Sequence, residues 1–179
     1  MSKNVLVIST SLRKGSNSET LADSFISGAV AAGHNVEKIT LKDKKISFCQ
    51  GCLACQRTRR CVIQDDAAQI SDKMCAADVI VFATPVYYYE MSGQMKTILD
   101  RANPLFVRDY SFRDVYMLAT AAENSDHAVQ RAVNGLSGWI ACFSRARLAG
   151  TVFAGGVTYA GDIAGHTALQ QAFDMGKSL

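Results

Sequence analysis

Ser9, Ser11, Arg13, Ser16, Asn17 and Ser18 crowd hydroxyls, an amide and one guanidinium into a single short stretch. Such a set is a donor array suited to an oxyanion. Hydroxyls donate hydrogen bonds and an arginine adds a charge-assisted one. A helix opening at the end of the stretch would contribute free backbone N–H groups and the positive end of its dipole. Neither G-x-G-x-x-G nor G-x-x-x-x-G-K-[ST] occurs here, so this is not a dinucleotide fingerprint or a P-loop. A plainer use is a polar turn with a helix cap at Asn17 or Ser18.

Cys49, Cys52, Cys55 and Cys61 bring four thiols into a second short stretch. The run Cys-x2-Cys-x2-Cys is the tight spacing that wraps a [4Fe–4S] cluster, with the fourth cysteine at x5 rather than the ferredoxin x3 followed by proline. A structural zinc more often splits its ligands into separated pairs. Free or regulatory thiols are the third use, and the Arg57–Arg60 run would then favour thiolates or simply be solvated. A third stretch, Thr84-Pro-Val-Tyr-Tyr-Tyr-Glu-Met-Ser-Gly-Gln-Met-Lys96, holds three consecutive tyrosines. At a pocket mouth they would offer flat faces and hydroxyls to a planar ring, whereas at a subunit interface or on the core they would only pack. At least one is expected to be structural.

These stretches have to be positioned, and the intervening sequence says how. Val5–Ile8 and Asp78–Pro85 are almost wholly apolar, as strands buried on both faces require. Val36–Leu41, Val115–Ala122 and Ala149–Ala154 complete five predicted strands. Five helices alternate with them: one opening near Ser18 and stopping at Gly33, then Asp65–Ala77, Ser92–Asn103 before Pro104, Asp126–Arg145 with the only tryptophan, and His166–Lys177. Strict alternation with continuous apolar strands predicts an α/β fold: a doubly wound, five-stranded parallel sheet of order 2-1-3-4-5, with helices on both faces. In that order a ligand sits where the winding reverses, at the carboxyl ends of strands 1 and 3. The hydroxyl loop and the tyrosine loop follow those two strands. Cys75 and Cys142 fall on predicted helices and read as core residues.

Ser11, Arg13, Ser16 and Ser18 match the Ser-x-Arg-x-x-Ser-x-Ser pattern of the flavodoxin-like NAD(P)H-dependent FMN reductases, directly after the first strand. The segment from Thr84-Pro-Val-Tyr to Met-Ser-Gly-Gln-Met-Lys and Asp100-Arg101, and Gly161-Asp-Ile163, resemble the same family. The cysteine loop is similar to that of the iron–sulfur flavoproteins, a branch of this fold. The resemblance implies one flavodoxin-like FMN-binding domain over residues 1–179. Ser9, Ser11, Arg13, Ser16, Asn17 and Ser18 would hold the phosphate, and Pro85, Val86, Tyr87 and Tyr88 would line the ring. Thr120 to Glu123 would approach the same pocket. Cys49, Cys52, Cys55 and Cys61 would be the ligands of any [4Fe–4S] cluster.

Composition narrows the partners. The chain has 179 residues, 49% apolar and 20% charged, with a net charge of +3. No basic block exceeds Arg57–Arg60, so nucleic-acid binding is not indicated. No apolar run approaches the roughly 20 residues of a membrane span, and no signal-peptide pattern is present, so a cytoplasmic protein is expected. The expected activity is NAD(P)H-dependent reduction of a flavin, quinone or other small electron acceptor through FMN. The alternative is an electron carrier in which a cluster exchanges electrons with FMN and a protein such as ferredoxin. A flavin sensor without turnover is a third possibility. A homodimer or homotetramer is expected.

Overall fold

The protein, described by a computed structural model over residues 1–179, is built on a parallel sheet covered on both faces. The main strands are β1 (Asn4–Ser9), β2 (Asn35–Thr40), β3 (Val79–Tyr87), β5 (Asp114–Thr120) and β6 (Arg147–Ala154). They lie in the order β2-β1-β3-β5-β6, and all their pairings are parallel. Counting these five alone gives the predicted order 2-1-3-4-5. The addition is β4 (Glu90–Met91), which folds back antiparallel on the end of β3.

Alternation of side chains explains the two cores. In β1, Val5 and Val7 face one way with Val79, Val81, Leu118 and Val152, under α1 (Asn17–Ala31) and α6 (Thr167–Lys177). Leu6 and Ile8 face the other way with Ile80, Phe82, Val115 and Met117. That side is covered by α3 (Asp66–Ala76), α4 (Gly93–Arg101) and α5 (His127–Ile140). A strand with both faces buried has no polar alternation, which is why β1 and β3 are apolar runs.

Several boundaries differ from expectation for identifiable reasons. The cap of α1 is Ser16, whose hydroxyl accepts from the Glu19 N–H, rather than Asn17 or Ser18. Helix α5 stops at Ile140 instead of continuing to Arg145, because the chain turns to bury Phe143 and the Arg145 N–H bonds the Tyr110 hydroxyl at 3.0 Å. Pro104 follows the end of α4, as expected, but opens a 3-10 turn (Asn103–Val107). The cysteine loop contains a short helix, α2 (Ala54–Thr58), set between left-handed residues Leu53 and Arg59. Of the two helical cysteines, Cys75 is buried and burial pushes its thiol up, whereas Cys142 is exposed and does not belong to the core.

Candidate functional site

At the carboxyl ends of the strands, four loops enclose a solvent-open cleft. Ser11, Arg13 and Asn17 come from the loop after β1, and Pro85, Val86 and Tyr87 from the end of β3. Thr120 to Ala122 follow β5, and Val157 and Thr158 follow β6. The backbone N–H groups of Ser11, Leu12, Lys14, Gly15, Ser16, Asn17 and Ser18 donate to no protein acceptor. Gly15 has a φ of 61°, a left-handed turn that swings the chain into α1 and leaves those donors at the helix N-terminus. A fan of free N–H groups beside an arginine fits a phosphate ester.

The predicted phosphate residues divide into two roles. Ser11 and Arg13 line the cleft. Ser9 and Ser18 are buried outside it, with the Ser9 hydroxyl unpaired and the Ser18 hydroxyl 3.4 Å from that of Ser16. Asn17 lines the cleft, but its amide is committed elsewhere. Its Nδ2 donates to the Tyr159 carbonyl at 2.9 Å, and its Oδ1 accepts from the N–H groups of Gly161 and Ile163. It therefore holds the segment after β6 against the start of α1. Arg13 ties the same segment with a 2.6 Å bond to the Thr158 carbonyl. Asp162 completes the tie by accepting from the Tyr159 and Thr158 N–H groups, which hold its carboxyl below the usual carboxylate range. The Gly-Asp-Ile signal thus marks a fourth loop of the site, although Val157 and Thr158 themselves carry no signature in the sequence.

A buried hydroxyl knot, not foreseen from the sequence, joins the loops after β1 and β3. Thr10 Oγ1 donates to the Ala83 carbonyl at 3.0 Å and lies 2.9 Å from Ser92 Oγ. Thr84 Oγ1 accepts from the Ser92 N–H at 3.1 Å, while Ser92 Oγ caps α4 through Met95. Each hydroxyl has its partners, so the polar cluster is affordable in the core and fixes the loop spacing.

The tyrosines form a two-residue hairpin. Val86 pairs with Met91 and Tyr87 with Glu90, leaving Tyr88 and Tyr89 at the tip with φ of 50° and 66°. Left-handed backbone in two bulky residues is costly and is typical of functional loops. Tyr87 reaches the cleft; Tyr88, 97% exposed, stands beyond its lining. Tyr89 is engaged sideways, with Arg131 5.9 Å from its ring centroid. Glu123 does not line the cleft: its carboxylate, through a hydrogen bond and its charge, pushes the Tyr89 hydroxyl above its ordinary value.

Cys49, Cys52, Cys55 and Cys61 line one small depression, together with Arg101 and Asn103. No three of them converge closely enough to hold a metal ion, so the loop forms a thiol-lined cavity rather than a closed metal site. Beneath it, Arg101 is 2% exposed and makes a bidentate pair with Asp65 at 2.7 and 2.8 Å. Burial opposes the Asp65 charge, but the Arg101 bonds and the Ser47 N–H outweigh it and hold this carboxyl below its usual range.

The model of the NADPH-dependent FMN reductase family matches residues 3–158. A protein named iron-sulfur flavoprotein from Methanosarcina thermophila is 28% identical over 153 residues, covering 85% of this chain and 80% of its own. Another of that name, from Archaeoglobus fulgidus, is 35% identical over 92 residues, 51% of this chain and 42% of the relative, so less than half of that protein is matched. In fold, the chain is similar to an NAD(P)H:quinone oxidoreductase from Methanothermobacter marburgensis, with a TM-score of 0.78 at 15% identity over 99% of this chain and 96% of that one.

Proposed function

The chain belongs to the NADPH-dependent FMN reductase family, and from that premise we propose that it is an FMN-dependent oxidoreductase using NADH or NADPH to reduce a flavin, quinone or other small acceptor. The observation that carries this reading is the fan of free N–H donors at the start of α1, facing Pro85–Tyr87 across one cleft. The chemistry supplied by bound FMN is two-electron transfer at its ring. The protein's part is to bind and orient. The loop N–H groups, Ser11 and Arg13 hold the single terminal phosphate. Pro85, Val86 and Tyr87 cover the ring, with Tyr88 at the rim, and Thr120 to Ala122 close the opposite side. Asn17 and Asp162 keep the loop after β6 in place. No side chain is assigned as an acid or base. For a quinone the balance is NAD(P)H plus a proton plus quinone giving NAD(P)+ plus hydroquinone.

Release of the chromophore and its identification by mass tests the proposal. FMN is the expected result. FAD is not, because a pyrophosphate would need a second cradle that this loop lacks; recovery of FAD, or of no flavin after incubation with FMN, would overturn the reading.

A second reading is favoured by the Cys-x2-Cys-x2-Cys spacing of the loop, whose thiols do not converge as the structure stands. With a [4Fe–4S] cluster held by Cys49, Cys52, Cys55 and Cys61, the chain would exchange electrons between FMN and a protein donor such as ferredoxin. The names of the two relatives support it. Phe48, Leu53, Val62 and Phe106 are exposed apolar residues on or near this loop, and they support assembly as a homodimer or homotetramer. No helix is long and apolar enough to cross a membrane.

A further inference from the structure

Leu12 sits between Ser11 and Arg13 in the chain, yet it lines a second cavity rather than the flavin cleft. That cavity measures about 340 Å3, within the range of small-molecule sites. Leu12, Leu41, Ile46 and Phe48 give it an apolar wall, with the Phe48 side chain 79% exposed. The first turns of α4 complete it and present the Gln94 amide, which has no hydrogen-bond partner in the protein. Two ammonium groups stand at the same cavity. Lys44 is 3.6 Å from Asp66, whereas Lys42 makes no ion pair or hydrogen bond through Nζ. No carboxylate lines the cavity, so its charge is left uncompensated.

We propose that this cavity seats the adenosine end of the nicotinamide donor, and that Lys42, with Lys44 beside it, takes the 2′-phosphate that distinguishes NADPH from NADH. The inference rests on the oxidoreductase reading of the neighbouring cleft. A donor must lay its nicotinamide against the flavin ring, so its other end has to leave that cleft. Inside the cleft the one charged side chain is Arg13, already assigned to the flavin phosphate and bonded to the Thr158 carbonyl. The second cavity shares two segments with the cleft. One is the loop after β1, through Leu12, and the other is the chain that runs from the tyrosine hairpin into α4. Its chemistry suits an adenine nucleotide. A purine stacks on an exposed aromatic ring such as Phe48, and a side-chain amide such as that of Gln94 pairs with the N6–N7 edge of adenine. A 2′-phosphate needs a cation that no carboxylate neutralises, and Lys42 meets that requirement. The bare ribose of NADH gives Lys42 no charge to bind.

The test uses the FMN-loaded full chain and its Lys42→Gln and Phe48→Ala variants. Binding of adenosine 2′,5′-bisphosphate and of 5′-AMP is measured by calorimetry, and kcat/KM with NADPH and with NADH by flavin reduction. Wild type should bind the bisphosphate roughly tenfold more tightly than 5′-AMP, and the margin should shrink as salt rises. Lys42→Gln should erase most of that margin and lower the NADPH-to-NADH ratio of kcat/KM by about tenfold. Phe48→Ala should weaken both ligands alike, leaving that ratio near its wild-type value. Equal binding of the two ligands by wild type, or a bisphosphate affinity unmoved in either variant, would overturn the assignment and leave the oxidoreductase reading standing. So would wild type that holds FMN but binds neither ligand, the outcome expected if a second copy of the chain covers the cavity. Bound FMN that neither NADPH nor NADH reduces would instead overturn the oxidoreductase reading, and bisphosphate binding would then decide the cavity by itself.

Discussion

Arg13 both lines the cleft and ties down the loop after β6. Its guanidinium bonds the Thr158 carbonyl through one nitrogen, leaving further donors for the cleft that it lines. Arg13→Ala should therefore weaken FMN binding by about 1.5–3 kcal/mol, the usual worth of a hydrogen bond to a charged group. The measurement is titration of flavin-free protein with FMN, followed by fluorescence quenching; unchanged affinity would place Arg13 outside the phosphate site. Lysine at this position keeps a charge but not the fork, so an intermediate loss is expected. That Arg13 would line the cleft was legible from its company of serines. The role of Asn17 was not, because its partners Tyr159, Gly161 and Ile163 lie more than 140 positions away in the chain. An amide beside a helix N-terminus reads locally as a cap or phosphate ligand, and only the fold shows it reaching across.

At the scale of elements, the hairpin from β3 to β4 is where local preference and structure disagree. Two-residue hairpins favour Asn-Gly or Asp-Gly because both central residues take positive φ. Here both are tyrosine. Nothing in Tyr-Tyr-Tyr announces a turn, so the sequence pointed to an aromatic loop but not to its geometry. Tyr88→Asn removes a nearly fully exposed ring and installs a residue that tolerates the left-handed region. Relief of part of the left-handed strain should stabilise the fold by about 1 kcal/mol and raise its thermal midpoint. FMN affinity or turnover should fall if the ring closes over the flavin. A more stable variant with unimpaired flavin binding and turnover would assign Tyr88 no part in the site. The hydroxyl knot was invisible for a related reason: Thr10, Thr84 and Ser92 are ordinary residues whose meaning lies in their convergence from three segments.

For the molecule as a whole, apolar continuity in β1 and β3 was enough to infer a sheet with two covered faces, and the alternation with helices gave its winding. How closely the covering helices approach was not legible. Helices α1 and α6 touch backbone to backbone at two glycines that resemble any others in the sequence. A Cβ on Gly28 would lie 1.9 Å from the Phe173 carbonyl oxygen, and one on Gly176 would lie 2.1 Å from that of Phe25. Backbone cannot turn aside as a flexible side chain can, so the helices would have to separate along their whole contact. Gly28→Ala normally gains helix propensity, about 1 kcal/mol in an exposed helix interior. Here overpacking should win and cost about 1–3 kcal/mol or more. Because α1 also carries the hydroxyl-rich loop that lines the cleft, displacement of its axis should weaken FMN binding even in the fraction that remains folded. Urea unfolding and FMN titration of Gly28→Ala together check both effects. A wild-type midpoint would mean that α1 and α6 are not in backbone contact, whereas a lowered midpoint with intact FMN affinity would confine the strain to the far end of α1, away from the loop.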